Sequence, residues 1–228
     1  MKQDELSARI ASGRNFFQAH KKNLSLAVAV SAGALALGLV LFFYIRSQQT
    51  RAAAAFAEAL NTYHAPVLTN PPAVPNLESY KTNDDKNQKA LEKFNAVARS
   101  YSFYTAGRLA RYYAAICLRE LGKYPEAEKE FLALAEFRDT RLASLAKVGL
   151  ASVYELTNRS SEAEKVYKDL EEHPTEAVPK AVALMSRADL AKKSNPAEAS
   201  TIYQQIQKDF PGTPAADYAG QMLAELPH

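Results

Sequence analysis

Cysteine and histidine are scarce in this chain. Among its 228 residues Cys117 is the single cysteine, so no disulfide can form within the chain and no lipid-bearing cysteine follows its N-terminal apolar segment. Cys117 lies among apolar residues, which is typical of a small core side chain. None of the four histidines is paired with a second one at ligand spacing; they are His20, His64, His173 and His228. We therefore expect no disulfide framework, no lipoprotein and no metal site.

The chain also lacks the short motifs that carry common enzyme chemistry. It has no glycine-rich phosphate loop, no Gly-x-Ser-x-Gly turn and no His-Glu-x-x-His helix. Its adjacent acidic pairs, Asp84–Asp85 and Glu171–Glu172, stand in polar segments and are expected to be solvated. The sequence thus predicts no catalytic residue and no cofactor. An enzyme whose reactive groups converge from distant segments stays as an alternative.

Charge is absent from residues 24–45, which read LSLAVAVSAGALALGLVLFFYI. As a helix this segment would span about 33 Å, enough for the roughly 30 Å core of a bilayer. Phe42, Phe43 and Tyr44 stand at its far edge, where aromatic belts lie. A cleaved signal peptide is the alternative, but its apolar core usually has about 7–15 residues and no long polar segment before it. We therefore predict a single transmembrane helix over residues 24–45.

Basic residues are distributed unevenly around this apolar segment. Five precede it, whereas the near segment after it has only Arg46 and Arg51; the five are Lys2, Arg9, Arg14, Lys21 and Lys22. Because the flank richer in lysine and arginine stays inside, residues 1–23 are predicted to be a cytoplasmic tail and the rest extracytoplasmic. In a bacterium with an outer membrane, this describes a single-pass protein of the inner membrane with a periplasmic domain.

The net charge of +3 has its origin in the same asymmetry. Residues 1–50 hold six basic and two acidic side chains, while residues 51–228 hold 22 basic and 23 acidic ones. The basic excess is therefore a signal of membrane topology, and no nucleic-acid partner is expected.

The segments on either side of the apolar run have different compositions. Leu6, Ile10 and Phe17 share one helical face within residues 1–23, which fits a helix lying on the membrane surface, although a disordered tail fits equally well. Residues 46–83 begin as an alanine-rich helical extension and end in a linker with four prolines. This linker is expected to be a plain connector, with a partner-binding motif as the alternative.

Small residues recur inside the predicted membrane helix. Ala29 and Gly33 form one small-xxx-small pair, and Ala34 and Gly38 form a second. Such pairs let another helix approach closely within a membrane. They predict a packing surface for a membrane partner, unless they only reflect how often alanine and glycine occur in such helices.

One short pattern recurs four times in the rest of the chain. An alanine is followed by an aromatic residue four positions later and by an aliphatic residue after seven. The four triplets are Ala90–Phe94–Val97, Ala127–Phe131–Leu134, Ala163–Tyr167–Leu170 and Ala199–Tyr203–Ile206. Positions with this spacing lie on one face of a helix, and the copies recur every 36 or 37 residues. This period is typical of stacked helical units.

Turn residues stand before three of the four copies. Gly122, Asn158 and Asn195 suit the ends of preceding helices, and Pro125 and Pro196 suit the first turns of the next ones. An apolar-periodic run precedes each turn, so the repeating unit is predicted to be helix, turn, helix. Because so short a pair cannot bury its own apolar face, copies must stack. We predict an all-α repeat domain over residues 84–228, with a generic helical bundle as the alternative.

The pattern resembles the tetratricopeptide repeat, with GKYPEAEKEF at residues 122–131 as its best match. Leu150, Ala151 and Tyr154 also fall where that family's first helix has leucine, a small residue and tyrosine. The resemblance implies an α-solenoid of about four helix-turn-helix repeats whose first helices form a concave, protein-binding surface. On that surface it implies Arg108, Leu109, Tyr112, Ile116, Arg119, Leu145, Val148 and Ser152, with Arg111 and Lys147 nearby. The alternative is that the apolar residues among them only pack against a neighbouring helix.

The whole layout resembles the ancillary SecYEG translocon subunit family. A short segment with FFQAHKK leads into one membrane helix, then into an alanine-rich helix and the repeats. The resemblance implies a membrane-tethered scaffold beside the secretion channel, whose partners are translocon subunits, emerging polypeptides or periplasmic chaperones. An envelope-assembly or cell-division coordinator with the same repeats is the alternative, ahead of an enzyme. The oligomeric state does not follow from the sequence.

Overall fold

This computed structural model describes residues 2–68 and 78–226, with the side chains from residue 25 onward apart from residues 27 and 28. Within these ranges the chain forms nine helices and no strand, so the prediction of an all-α fold is confirmed. Extended residues pair there in one isolated parallel bridge, between Val67 and Tyr80. The chain divides into two compact units, Met1–Arg51 and Ala52–His228.

Short connections join the helices from α2 onward, and helices that are neighbours in sequence pack together. In chain order the helices are α1 (Lys2–Tyr63), α2 (Asn83–Ser100), α3 (Thr105–Glu120), α4 (Tyr124–Ala135), α5 (Thr140–Leu156), α6 (Ser160–Glu172), α7 (Lys180–Ser194), α8 (Pro196–Asp209) and α9 (Pro214–Glu225). Contacts also join α3 to α5 and α7 to α9. Among the described residues, no comparable contact joins α5 to α7.

In the first unit, α1 carries a stretch that is long and apolar enough to span a membrane, judged by length and composition. The large apolar side chains at residues 35, 37 and 39–45 are all exposed. Exposed side chains of this kind need a nonpolar surrounding, which a bilayer would supply. The backbone is helical from Lys2, while the amphipathic face predicted for residues 1–23 concerns side chains outside the described ones.

In the second unit, the recurring triplets form the buried face of four helices. α2, α4, α6 and α8 carry one triplet each. Each of the twelve side chains is at most 5 % exposed, so the predicted buried stripe is confirmed. Burying three such side chains per helix supplies a large part of the hydrophobic driving force, at about 1.5–3 kcal/mol for each large apolar residue.

Two of the three predicted turn residues adopt a left-handed backbone. Gly122 follows α3 with φ 70° and Asn158 follows α5 with φ 58°, as the ends of helices commonly require. Asn195 differs, because its φ is −145° and its side chain accepts a hydrogen bond from the Glu198 amide at 3.3 Å. Asn195 therefore ends α7 without a left-handed turn, its amide donating to the Ala191 carbonyl at 2.7 Å, and it also begins α8 as an N-cap.

The described ends of the predicted proline linker are attached to the last turns of α1. The Leu68 amide donates to the Tyr80 carbonyl at 2.8 Å, and the Tyr80 amide donates to the Pro66 carbonyl at 3.1 Å. The fully buried Thr62 hydroxyl donates to the Glu78 carboxylate at 2.9 Å. Both ends of the linker are thus held beside residue 62, while three of its prolines lie outside the described residues.

Candidate protein-binding site

The apolar residues predicted for the concave surface lie on two helices that contact each other. Leu109, Tyr112 and Ile116 stand on α3, and Leu145 and Val148 stand on α5. All five are half-buried and pack against the core cluster that contains Phe131 and Leu150. Each therefore has one side in the core and the other side open to solvent. We call these five residues the α3–α5 face.

Tyr112 contributes to the core as well as to the α3–α5 face. Its ring meets the ring of Phe131 edge-on with centroids 6.1 Å apart, and the ring of Tyr113 at 5.7 Å. Burial raises the pKa of the Tyr112 phenol. Aromatic pairs in this geometry add stability beyond their buried area. Replacing Tyr112 is therefore expected to lower stability together with any binding.

Arg119 joins the two helices of the α3–α5 face. Its Nη1 donates to Ser152 Oγ on α5 at 3.3 Å, and its Nη2 contacts Glu120 at 2.5 Å. Arg108 instead donates to the Phe103 carbonyl at 3.3 Å and to Thr105 Oγ1 at 3.2 Å. The two predicted residues thus have different roles, since Arg119 bridges helices and Arg108 stabilises the start of its own helix.

The other two cations expected near this face pair with neighbouring second helices. Arg111 donates through Nε to Glu130 Oε2 on α4 at 2.6 Å. Lys147 pairs with Asp169 on α6. Both side chains are thereby drawn toward the seams between helices. Of the predicted cations, Arg119 is the one that stays beside the apolar residues of both α3 and α5.

The surroundings of Cys117, the one free thiol of the chain, make it unreactive. It is fully buried, and burial raises the pKa of its thiol to about 12. Because the thiolate is the nucleophile, a thiol that stays protonated at neutral pH does not react readily.

Among the described residues, no group of three or more histidine, cysteine, aspartate or glutamate side chains could hold a metal ion.

A second candidate surface, which the sequence patterns did not indicate, lies between α7 and α9. It is an open cavity of about 370 Å³. Its lining residues, most of them apolar, are Val182, Met185, Ser186, Asp189, Pro214, Ala215 and Tyr218. The signal that could have revealed it is Asp189 itself, an acidic residue within the apolar run of α7. We call this cavity the α7–α9 pocket.

Comparison with known proteins finds no matching family model, no matching curated protein and no matching solved structure. The resemblances to the tetratricopeptide repeat and to the translocon subunit family therefore stay predictions from the sequence.

Proposed function

We propose that this chain is a single-pass membrane protein whose second unit is a tetratricopeptide-like scaffold for other proteins. The observation that carries the proposal is the burial of the same three positions in α2, α4, α6 and α8. Buried stripes that recur every 36 or 37 residues are typical of a solenoid, in which each helix pair stacks on the next. In this assignment residues 52–63 pair with α2, α3 with α4, α5 with α6 and α7 with α8, while α9 covers the last pair.

The α3–α5 face suits the binding of a protein segment. Its apolar side chains are half exposed, and Arg119 supplies a cation beside them. An extended or helical segment with apolar anchors could lie across it. Solenoids generally bind partners on the surface built from their first helices, which are α3 and α5 here.

The proposed setting is the bacterial inner membrane, with the N-terminus in the cytoplasm and the second unit in the periplasm. The excess of lysine and arginine before the apolar segment supports this orientation. The layout of tail, membrane helix and repeats supports a place beside the Sec translocon, where the scaffold would assist the transfer of secreted proteins to chaperones.

Protease accessibility tests the orientation. Protease added to spheroplasts should digest the chain beyond Arg51 and leave residues 1–23 protected inside, as detected with an N-terminal tag. Protection of the second unit would reverse the proposed topology.

Site-specific crosslinking tests the binding surface and the partner together. A photoreactive amino acid placed at Leu145, on the α3–α5 face, should crosslink to translocon subunits or to emerging secreted chains in native membranes. The matched control is Leu132 on α4, an apolar side chain that is 45 % exposed and lies on a second helix. Crosslinks from Leu145 to envelope-assembly or division proteins alone would support the alternative function, and equal crosslinking from both positions would contradict the proposed face.

A further inference from the structure

The α7–α9 pocket contains a carboxylate that no cation neutralises. Among the described residues, Asp189 forms no ion pair with a lysine, arginine or histidine. The two nearest cations in sequence on α7 have partners of their own, since Arg187 pairs with Glu171 and Lys192 lies 2.9 Å from Glu225. A partly buried charge without a counter-ion is costly, so this feature requires a physical explanation.

Two tyrosines orient the Asp189 carboxylate without neutralising it. The Tyr203 hydroxyl donates to Asp189 Oδ1, and the Tyr218 hydroxyl lies 2.9 Å from both carboxylate oxygens. Burial, followed by the hydrogen bond to Asp189, raises the pKa of Tyr218 to about 12 and raises the pKa of Tyr203 as well. Both therefore stay neutral donors at physiological pH. They fix the carboxylate between α7, α8 and α9 and leave its negative charge in place.

At the N-terminus of α9, which borders the pocket, the amides of residues 216 and 217 are engaged within the helix and its cap. Pro214 has no amide hydrogen. The Ala216 amide donates to Thr213 Oγ1 at 3.4 Å, and the Asp217 amide donates to the Thr213 carbonyl at 3.1 Å. Neither amide binds the Asp189 carboxylate, so this carboxylate is the charge that a cation entering the pocket would meet.

The walls of the pocket indicate which kind of cation fits. Val182, Met185 and Ala215 supply an apolar surface, and Tyr218 adds a ring. A volume of about 370 Å³ is near the lower end of the roughly 300–1,000 Å³ typical of small-molecule sites, so it suits a single long side chain. Arginine is less strongly hydrated than lysine, carries an apolar stem and stacks on aromatic rings.

We propose that the α7–α9 pocket binds an arginine side chain of another polypeptide, with the stem against the apolar walls and the guanidinium on the Asp189 carboxylate. The occupant is a protein segment with an exposed arginine between apolar residues. The proposal does not rest on the function proposed above, because it concerns α7 and α9 and is tested with a peptide in place of a cellular partner.

The experiment uses the full chain in detergent micelles and the fluorescein-labelled peptide Ala-Leu-Ala-Arg-Ala-Leu-Ala, followed by fluorescence anisotropy. The same peptide with citrulline in place of arginine keeps the shape and removes the charge. We expect the citrulline peptide to bind at least about tenfold more weakly, as loss of a partly buried charge pair requires, and a lysine peptide to bind with intermediate affinity. No binding of the arginine peptide, or equal binding of the citrulline or lysine peptide, would overturn the proposal.

Variants locate the binding within the pocket. Asp189→Asn keeps an oxygen acceptor for the tyrosines and should weaken arginine-peptide binding at least about tenfold. Asp217→Asn removes the same charge from the exposed side of α9 and should change the affinity by less than about twofold. A wild-type affinity in Asp189→Asn, or an equal loss in Asp217→Asn, would refute the site.

A second pair of variants tests the pocket without altering the hydrogen bonds between Asp189 and its two tyrosines. Val182 is 37 % exposed at the edge of the pocket, so charged residues can replace it without burial. Val182→Glu should strengthen arginine-peptide binding and Val182→Lys should weaken it, each by about two- to fivefold. An unchanged affinity in both variants would contradict the proposal even if Asp189→Asn failed to fold.

Discussion

Gly33 in the first unit and Gly149 in the second both lie in apolar helical segments, yet they have opposite surroundings. A side-chain carbon added at Gly33 would meet no atom of another described residue within 4 Å, whereas one added at Gly149 would lie 2.6 Å from Cζ of Phe131. Around Gly33 the apolar side chains are exposed, and around Gly149 they are buried. Apolar composition is thus common to both segments. The segment around Gly149 buries its apolar surface within the chain. The segment around Gly33 leaves its apolar surface exposed, so that a partner helix or lipid can cover it.

Truncating Phe131 should give the largest effect within this comparison. The side chain is fully buried between α3, α4 and α5, so Phe131→Ala leaves a cavity and should lower the free energy of unfolding by about 3–5 kcal/mol. The measurement is chemical denaturation of the full chain in micelles, followed by circular dichroism because the chain has no tryptophan. Leu132→Ala is the control, since Leu132 is exposed and should cost under about 1 kcal/mol. Equal losses would mean that the repeat register is wrong.

Adding one methyl group at each glycine should sharpen the contrast. Gly149→Ala overpacks the contact with the Phe131 ring and should destabilise the chain by about 1–3 kcal/mol, despite a gain of up to about 1 kcal/mol in helix propensity. The methyl group added by Gly33→Ala would contact no other described part of the chain, so this substitution should leave the unfolding midpoint unchanged.

A double variant identifies the cause of the Gly149 effect. In a Phe131→Ala background the ring is absent, so the cost of Gly149→Ala should largely disappear. If the cost persists in that background, the clash with Phe131 is not its origin.

Alkaline pH should weaken the second unit through its buried tyrosines. The Tyr167 hydroxyl donates to Glu155 at 2.7 Å, and burial, followed by this hydrogen bond, raises the pKa of Tyr167. Burial and the hydrogen bond to Asp189 raise the pKa of Tyr203 in the same way. Since the folded pKa lies above the unfolded one, the stabilisation is complete below about pH 10 and is lost as pH rises further. Each tyrosine should contribute a slope of up to about 1.4 kcal/mol per pH unit.

Denaturation series from pH 8 to pH 12 check this slope, with Tyr167→Phe and Tyr203→Phe as the matched variants. Each phenylalanine variant should lose part of the slope while keeping its ring in the core. A slope identical to that of the parent chain in both variants would show that other groups, such as lysines, are responsible.

The smallest effect on stability is expected for Gly33→Leu. Because a side-chain carbon at Gly33 would meet no other described part of the chain within 4 Å, the unfolding free energy should stay the same. Recovery of a membrane partner after detergent extraction should fall if helices pack at Ala29 and Gly33. Leu35→Ala, on the opposite face of the helix, is the control and should leave recovery unchanged. Unchanged recovery in Gly33→Leu would mean that the helix is only an anchor.

Local spacing was sufficient to predict which residues of the repeats are buried. Ala163, Tyr167 and Leu170 share a helical face whatever the surroundings, because their spacing follows from the helix itself. Asn158 was predictable as a helix end for a similar reason, since asparagine tolerates a left-handed backbone. Asn195 was predictable as the end of α7 too, but its second role as the N-cap of α8 was not, because the hydrogen bond to the Glu198 amide depends on its surroundings.

The candidate sites were predictable only in part. The α3–α5 residues could be chosen from the repeat pattern, but the separate roles of Arg108 and Arg119 depend on which acceptors lie within reach. Asp189 stood out in the sequence only as an acidic residue in an apolar run. Its contacts with Tyr203 and Tyr218 join residues 14 and 29 positions apart, and no local pattern specifies such pairings.

The sequence alone determined the all-helical fold, the apolar segment that could span a membrane and the buried stripe of each repeat, because these depend on the composition and period of short segments. The tertiary structure alone decided that Phe131 occupies the space above Gly149, that Thr62 binds Glu78 and that two tyrosines hold Asp189. These contacts arise from how neighbouring helices approach one another, and close packing makes each approach specific to the side chains that meet there.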